Sequence, residues 1–239
     1  MTPRYAYGRI SGIRKPTKKH RQNVCRRDFS FLPSDIYIEA EKIKSRAGSS
    51  LVTFGDPTRL SGKIQAYSQE AGKYITLLSD RISKYQDDIG FMGFFAPNKP
   101  STQFDLFNNL NSSSKVGGYA TIQIAHPQTV RTVFYYETTG SYAVVSQDMG
   151  TTITWGSWNF VAFSYRSSDG LFTFGLNGIT KTLTQTGLGG IKNDDPKLFS
   201  ITDNLGEYEK MGAITTSLDP YSESDMDGFF NKYRHLYGL

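Results

Sequence analysis

The sequence predicts an all-β fold, an antiparallel two-sheet sandwich with a basic N-terminal extension and a short C-terminal helix. Three observations support this prediction: short apolar runs separated by turn residues, many aromatic residues, and positive charge concentrated at the start of the chain. The chain has 15 Tyr and 16 Phe residues, and aromatic side chains favour strands. Its 239 residues suffice for one large sandwich domain with an extension.

Short strand-like runs with turn residues between them recur throughout the predicted sandwich, residues 50–239, which is typical of sandwiches and barrels. The predicted strands are 51–54, 63–67, 74–78, 89–96, 104–108, 120–125, 130–136, 142–146, 151–154, 159–165, 171–176, 179–184, 198–202 and 210–215. This spacing leaves little room for helices.

The N-terminal arm, residues 1–27, contains nine Lys and Arg residues and no acid. The remaining chain has 18 basic and 22 acidic residues, a net charge of −4. Proline and glycine interrupt the arm, so we expect it to be irregular and to bind nucleic acid or an acidic protein surface. Its densest basic group comprises Arg14, Lys15, Lys18, Lys19, Arg21, Arg26 and Arg27.

Residues 28–49 are predicted to connect the arm to the sandwich. Apolar residues at 36, 38 and 40 fit a strand, whereas those at 36, 40, 43 and 47 fit one face of a helix, and we favour a short helix.

Residues 222–237 are predicted to form an amphipathic helix that docks on the sandwich as a lid. Ser222 or Ser224 can cap its N-terminus. The apolar stripe consists of Met226, Phe229, Phe230, Tyr233 and Tyr237.

Two predicted hairpins resemble a known family. The first predicted strand directly follows Trp158 and ends at the Asp169-Gly170 turn. A second strand comes next and ends at Asn177-Gly178. Upstream, segments 73–77 and 89–97 overlap two further predicted strands, and the second segment ends in Pro97. These segments are similar to laminin-G-like, concanavalin A-like domains over roughly residues 50–239. The resemblance implies a jelly-roll sandwich, a fold used by lectins, glycanases, adhesion modules and virion proteins.

No catalytic or metal site is predicted, and no cofactor. Glycanases of this superfamily carry Glu-x-Asp-x-Glu on one strand, whereas Glu223, Asp225 and Asp227 depart from that pattern and lie in the predicted helix. The three histidines, His20, His126 and His235, are too scattered for a metal triad, and Cys25 has no histidine placed beside it. A calcium site is considered for the loop acids Asp194, Asp195, Asp203, Glu207 and Glu209, and solvated loops are favoured.

Aromatic residues offer a possible glycan-stacking surface. Trp155 and Trp158 are the candidates that would face a glycan, and Tyr135 and Tyr136 are further aromatic residues considered for the same groove. Core packing is the competing interpretation for all four.

We therefore expect a non-enzymatic structural protein of a virion, such as a capsid, decoration or tail component, or of a similar large assembly. Its location would be the virion, assembled in the host cytoplasm, with other subunits and packaged nucleic acid as partners. The alternatives are a carbohydrate-binding, lectin-like module and a lineage-specific subunit of a ribosome or of an organellar or cytoplasmic complex. The single cysteine excludes an internal disulfide framework. No secretory signal or membrane span is expected, because no apolar run approaches the roughly 20 residues a bilayer requires.

Overall fold

The computed structural model describes residues 88–98, 126–136, 141–191 and 219–239 together with the strands outside these ranges. The strands are β1 (Arg27–Phe31), β2 (Ile36–Glu39), β3 (Lys42–Ser45), β4 (Ser50–Phe54), β5 (Thr58–Arg59), β6 (Tyr67–Gln69), β7 (Tyr74–Leu78), β8 (Ile89–Ala96), β9 (Gln103–Asn108), β10 (Gly118–Gln123), β11 (His126–Tyr135), β12 (Tyr142–Asp148), β13 (Asn159–Arg166), β14 (Leu171–Leu176), β15 (Ile179–Thr184), β16 (Phe199–Ile201) and β17 (Glu209–Ser217).

Two antiparallel sheets form the sandwich. The first sheet has the order β15-β14-β13-β8-β17-β6-β5, and β1 also pairs with β17. The second sheet has the order β12-β11-β10-β9-β16-β7-β4. Strands β2 and β3 form a separate hairpin. The predicted all-β sandwich is thus confirmed.

The main hydrophobic core lies between the two sheets. Strand β13 contributes Val161, Phe163 and Tyr165, which are almost fully buried. Phe134 of β11 reaches across from the second sheet, and its ring centroid lies 5.1 Å from that of Tyr165. The inward alternation of β13 therefore packs this strand face to face against the second sheet.

A helix covers part of the outer face of the first sheet. Helix α1 (Glu223–Tyr233) continues into a 3-10 turn at Arg234–Leu236. Its apolar stripe packs on outward-facing residues of β8 and β13, and Phe94 stacks on Tyr237 with ring centroids 4.4 Å apart. Strand β13 is consequently buried on both faces where the helix covers it, at Phe160 and Ala162.

Ser222 begins the helix through a capping box. Its hydroxyl accepts a hydrogen bond from the amide of Asp225 at 3.2 Å, and the Asp225 carboxylate accepts one from the amide of Ser222 at 2.9 Å. This reciprocal pair satisfies two groups that a helix N-terminus leaves open. The predicted cap at Ser222 and the predicted docking on the sandwich are both observed.

Three local predictions are wrong. Residues Ile36–Glu39 and Lys42–Ser45 form the paired strands β2 and β3 instead of a helix, because the alternating pattern prevailed over the helical spacing. Residues 151–154 form no strand, although Ile153 is buried. The Asp169-Gly170 turn is present, but the primed two-residue hairpin turn expected from these residues is replaced by a four-residue loop between Arg166 and Leu171, in which Gly170 alone has a positive φ.

Candidate functional site: a hydroxyl-lined groove beside the helix

Along β13 the outer face of the first sheet changes from apolar to polar. Phe160 and Ala162 lie under helix α1, in the cluster that includes Met226 and Phe229. The next two outward positions are Ser164 and Arg166. The apolar positions coincide with the part of the sheet that the helix covers, and the polar positions line an open groove beside the start of the helix.

Three hydroxyl side chains form a row across neighbouring strands at this point. Ser164 of β13 pairs with Thr173 of β14, and Thr173 pairs with Thr182 of β15. Directly paired residues project to the same face of a sheet. The row therefore presents hydroxyl groups along the floor and one wall of the groove, where all three residues are found.

The other wall is the segment that leads into the helix, and Tyr221 is its largest side chain. The ring of Tyr221 lies against Gly90 of β8, where a Cβ atom would be only 2.5 Å from the ring carbon Cδ2. The phenol oxygen is 3.2 Å from Oγ1 of Thr215 in β17. Glycine at position 90 and the hydroxyl contact together fix the aromatic wall.

The groove bounded by Ser164, Arg166, Leu171, Thr173, Thr182 and residues 220–224 is called the hydroxyl groove. Its volume is about 440 Å³, within the roughly 300–1,000 Å³ typical of small-ligand sites. Ser164 is 1% exposed, and its hydroxyl has no hydrogen-bond partner. In the described part of the chain, the other such buried atom is Nε of Arg131, on the second sheet. A buried hydroxyl without a partner costs about 1–3 kcal/mol, which a ligand hydroxyl could offset.

Charged side chains lie at the edge of the hydroxyl groove. Arg166 donates from Nε to Oδ1 of Asp169 at 2.9 Å and from Nη2 to Oδ2 at 2.6 Å. The Arg166 hydrogen bond lowers the pKa of the Asp169 carboxyl, and the same contact raises the pKa of the Arg166 guanidinium. Both groups are therefore ionised at neutral pH. Glu223 lines the opposite wall and is exposed.

A second depression lies beside helix α1, next to the Asn177-Gly178 turn. Its polar side chain Asn177 is already engaged, because Oδ1 accepts from the amide of Phe160 at 2.8 Å and Nδ2 donates to Oδ1 of Asn159 at 3.1 Å. These contacts give Asn177 a structural role, so the hydroxyl groove is the stronger candidate.

The aromatic residues predicted to face a glycan do not lie together in the structure. Trp155 is partly buried against the core between the sheets. Trp158 packs against the helix-covered cluster, and its ring centroid is 4.7 Å from that of Tyr237. Tyr136 also packs on the inner core, and Tyr135 meets Tyr142 edge to face at 6.0 Å. Neither tryptophan lines the hydroxyl groove. Their glycan-facing role remains a prediction.

Most of the predicted anchoring residues of the arm, and most of the acids considered for a calcium site, lie outside the residues that the structure describes. Residues 1–26, which include six of the seven predicted anchoring residues, lie outside the described part, as do Asp194, Asp195, Asp203 and Glu207. The last anchoring residue, Arg27, begins β1 and is paired with Ser217, so the sheet starts within the predicted arm.

The described side chains contain no group of three His, Cys, Asp or Glu residues placed to hold a metal ion. Within the same regions, no helix has the length and apolar character to cross a membrane. Asp225 belongs to the capping box, which places the Glu223, Asp225 and Asp227 triplet in the helix as expected.

Comparison with known proteins relates the fold to toxin binding domains. No protein-family profile matches the sequence, and no curated protein matches it. The receptor-binding domain of botulinum neurotoxin C/D mosaic serotype matches with a TM-score of 0.62 and 13% identity, over 87% of this chain and 51% of that domain. The binding domain of Paraclostridial Mosquitocidal Protein 1 matches with a TM-score of 0.66 and 14% identity, over 89% and 55% respectively.

A third similar structure is the botulinum neurotoxin serotype D ligand-binding domain in complex with N-acetylneuraminic acid. Its TM-score is 0.64 at 10% identity, over 87% of this chain and 51% of that domain. The present chain therefore spans about half the length of these domains. At such low identity the likeness establishes a shared β-sandwich fold.

Sequence reasoning missed the hydroxyl groove. The outward positions of β13 read Phe160, Ala162, Ser164 and Arg166, and this change from apolar to polar was visible in the sequence. It could have indicated where helix coverage of the sheet stops. The position of the helix relative to the strands, however, arises from tertiary packing.

Proposed function

We propose that this sandwich is a non-enzymatic, carbohydrate-binding module that binds sugars in the hydroxyl groove. The buried, unpartnered hydroxyl of Ser164 carries the proposal, because it lies at a groove whose other hydroxyl groups suit a polyhydroxylated ligand. Sugar-binding sites combine such polar groups with an aromatic surface, and Tyr221 supplies one here.

The comparisons support a binding role. The three similar structures are a receptor-binding domain, a binding domain and a ligand-binding domain, the last in complex with N-acetylneuraminic acid. The finer resemblance to laminin-G-like and concanavalin A-like domains, a group that includes lectins, points the same way. A non-enzymatic role is further supported by Asp225, whose carboxylate is engaged at the helix cap.

A role in a virion or another large assembly is a second candidate, supported by the nine basic and no acidic residues of the arm. The two roles are compatible, because a binding module can be attached to an assembly by its arm. The fold comparisons favour the binding module as the function of the sandwich itself.

The test is glycan binding by the full chain and by Ser164→Ala, using an array of neutral and acidic glycans followed by calorimetry. We expect Ser164→Ala to melt at the same or a higher temperature, since it removes a buried hydroxyl that has no protein partner. Affinity should fall about five- to tenfold, because the ligand loses one hydrogen bond.

Ser146→Ala is the matched control, since Ser146 is an exposed strand residue of the second sheet. It should change neither the melting temperature nor the affinity. Absence of binding to every glycan would refute the proposed function, as would equal affinity of the wild type and Ser164→Ala.

A further inference from the structure

The charged residues of the hydroxyl groove determine which sugars it can bind. This inference about sugar selectivity rests on the proposed function. Arg166 is the cation among the groove-lining residues. Its bidentate contact with Asp169 pairs the positive charge with a carboxylate that stays ionised, because its pKa is lowered. Arg166 can still donate a hydrogen bond from Nη1, but it adds little net positive charge to the groove.

The opposite wall carries negative charge. Among the described residues, Glu223 forms no ion pair and is exposed on the lip. Asp225 lies in the same helical turn. A helix N-terminus contributes roughly half a positive charge, which two carboxylates more than neutralise. A ligand anion in the groove would therefore meet net negative charge.

We infer that the hydroxyl groove selects uncharged sugars and that Glu223 discriminates against acidic ones. A neutral pyranose offers hydroxyl donors to the carboxylate of Glu223 and can pair with the hydroxyl of Ser164. Its apolar C–H face suits the ring of Tyr221. A carboxylate on the same sugar, within a few ångströms of Glu223, is repelled by an amount that corresponds to about tenfold in affinity in a partly solvated site.

The experiment uses pairs of ligands that differ only at C6. These are the methyl glycosides of glucose, galactose and mannose, each compared with its uronate, and dissociation constants come from NMR titration of the full chain at low salt. The wild type should bind the neutral member of a recognised pair about tenfold more tightly. Glu223→Gln should narrow this preference to less than about threefold by strengthening binding of the uronate.

Asp227→Asn is the matched control, because Asp227 lies on the same helix but lines the second depression. Asp227→Asn should leave the preference for the neutral sugar close to the wild-type value. For the wild type, this preference should be larger at low salt than at high salt, because salt screens the repulsion. Equal or tighter binding of the uronate by the wild type, or a preference that Glu223→Gln does not alter, would overturn the selectivity while leaving sugar binding intact. If no member of any pair binds and the glycan array is negative as well, the proposed function itself fails.

Discussion

Tyr165 joins the sandwich core to a neighbouring loop. Its ring is fully buried and stacks on Phe172 at 4.5 Å, and its hydroxyl donates to the backbone carbonyl of Gly189. Burial, together with the charges of Asp88 and Asp169, raises the pKa of this hydroxyl to about 12. The ionised form is thus disfavoured in the folded protein more than in the unfolded chain.

This shift predicts a loss of stability at alkaline pH. A raised pKa contributes stability that is complete below the unfolded value near 10 and disappears as pH rises toward about 12. Tyr165→Phe should lower the free energy of unfolding by about 1 kcal/mol at neutral pH, because the hydrogen bond is lost. In urea melts the difference between the two proteins should shrink above about pH 9 and reverse sign by about pH 11.5, because a shift of about two pKa units outweighs one hydrogen bond. A constant difference across that range would contradict the burial effect.

Helix α1 illustrates how tertiary packing decides the role of an element. Phe229 is 6% exposed, and its ring centroid lies 6.0 Å from Phe94 and 6.2 Å from Phe160, both on the sheet. The helix is short, so its stability depends on this contact more than on intrinsic propensity.

Phe229→Ala should therefore destabilise the whole sandwich by about 3–5 kcal/mol, as expected for a large cavity in a core. Asn231→Ala, at an exposed position of the same helix, is the control and should change stability by less than about 0.5 kcal/mol. Chemical denaturation monitored by tryptophan fluorescence measures both. A small effect of Phe229→Ala would show that the helix is only loosely attached.

Strands were the elements best predicted from sequence. Strands β7, β8, β14 and β15 have the predicted bounds because alternating or continuous apolar runs end at clear turn residues. The β2-β3 hairpin was missed because the same apolar residues fit two periods over a short stretch. The hydroxyl groove could not be predicted, since it requires Ser164, Thr173 and Tyr221 to meet through strand register and helix placement.

At the scale of the whole molecule, charge is divided unevenly between the arm and the remaining chain. The predicted anchoring role of the arm rests on sequence alone. Because Arg27 belongs to β1, the test should retain it and replace Arg14, Lys15, Lys18, Lys19, Arg21 and Arg26 by alanine.

If the arm binds nucleic acid, six phosphate contacts should give a slope of about −5 in log affinity against log salt, roughly a thousandfold loss between 50 and 200 mM. Retention on duplex DNA across a salt series, for the wild type and the alanine variant, measures this. Both proteins should have the same melting temperature, since the replaced residues precede the first strand of the sandwich. Equal retention of the two proteins at every salt concentration would refute the electrostatic anchor.

The helix that covers the first sheet follows every strand in chain order. During translation, the outward aromatic surface around Phe94 and Phe160 is therefore made long before the segment that shields it. A nascent chain released or cleaved before residue 222 would expose this aromatic surface to solvent. Such fragments should be held by chaperones or aggregate. The solubility of the newly made domain therefore depends on completion of its C-terminal helix.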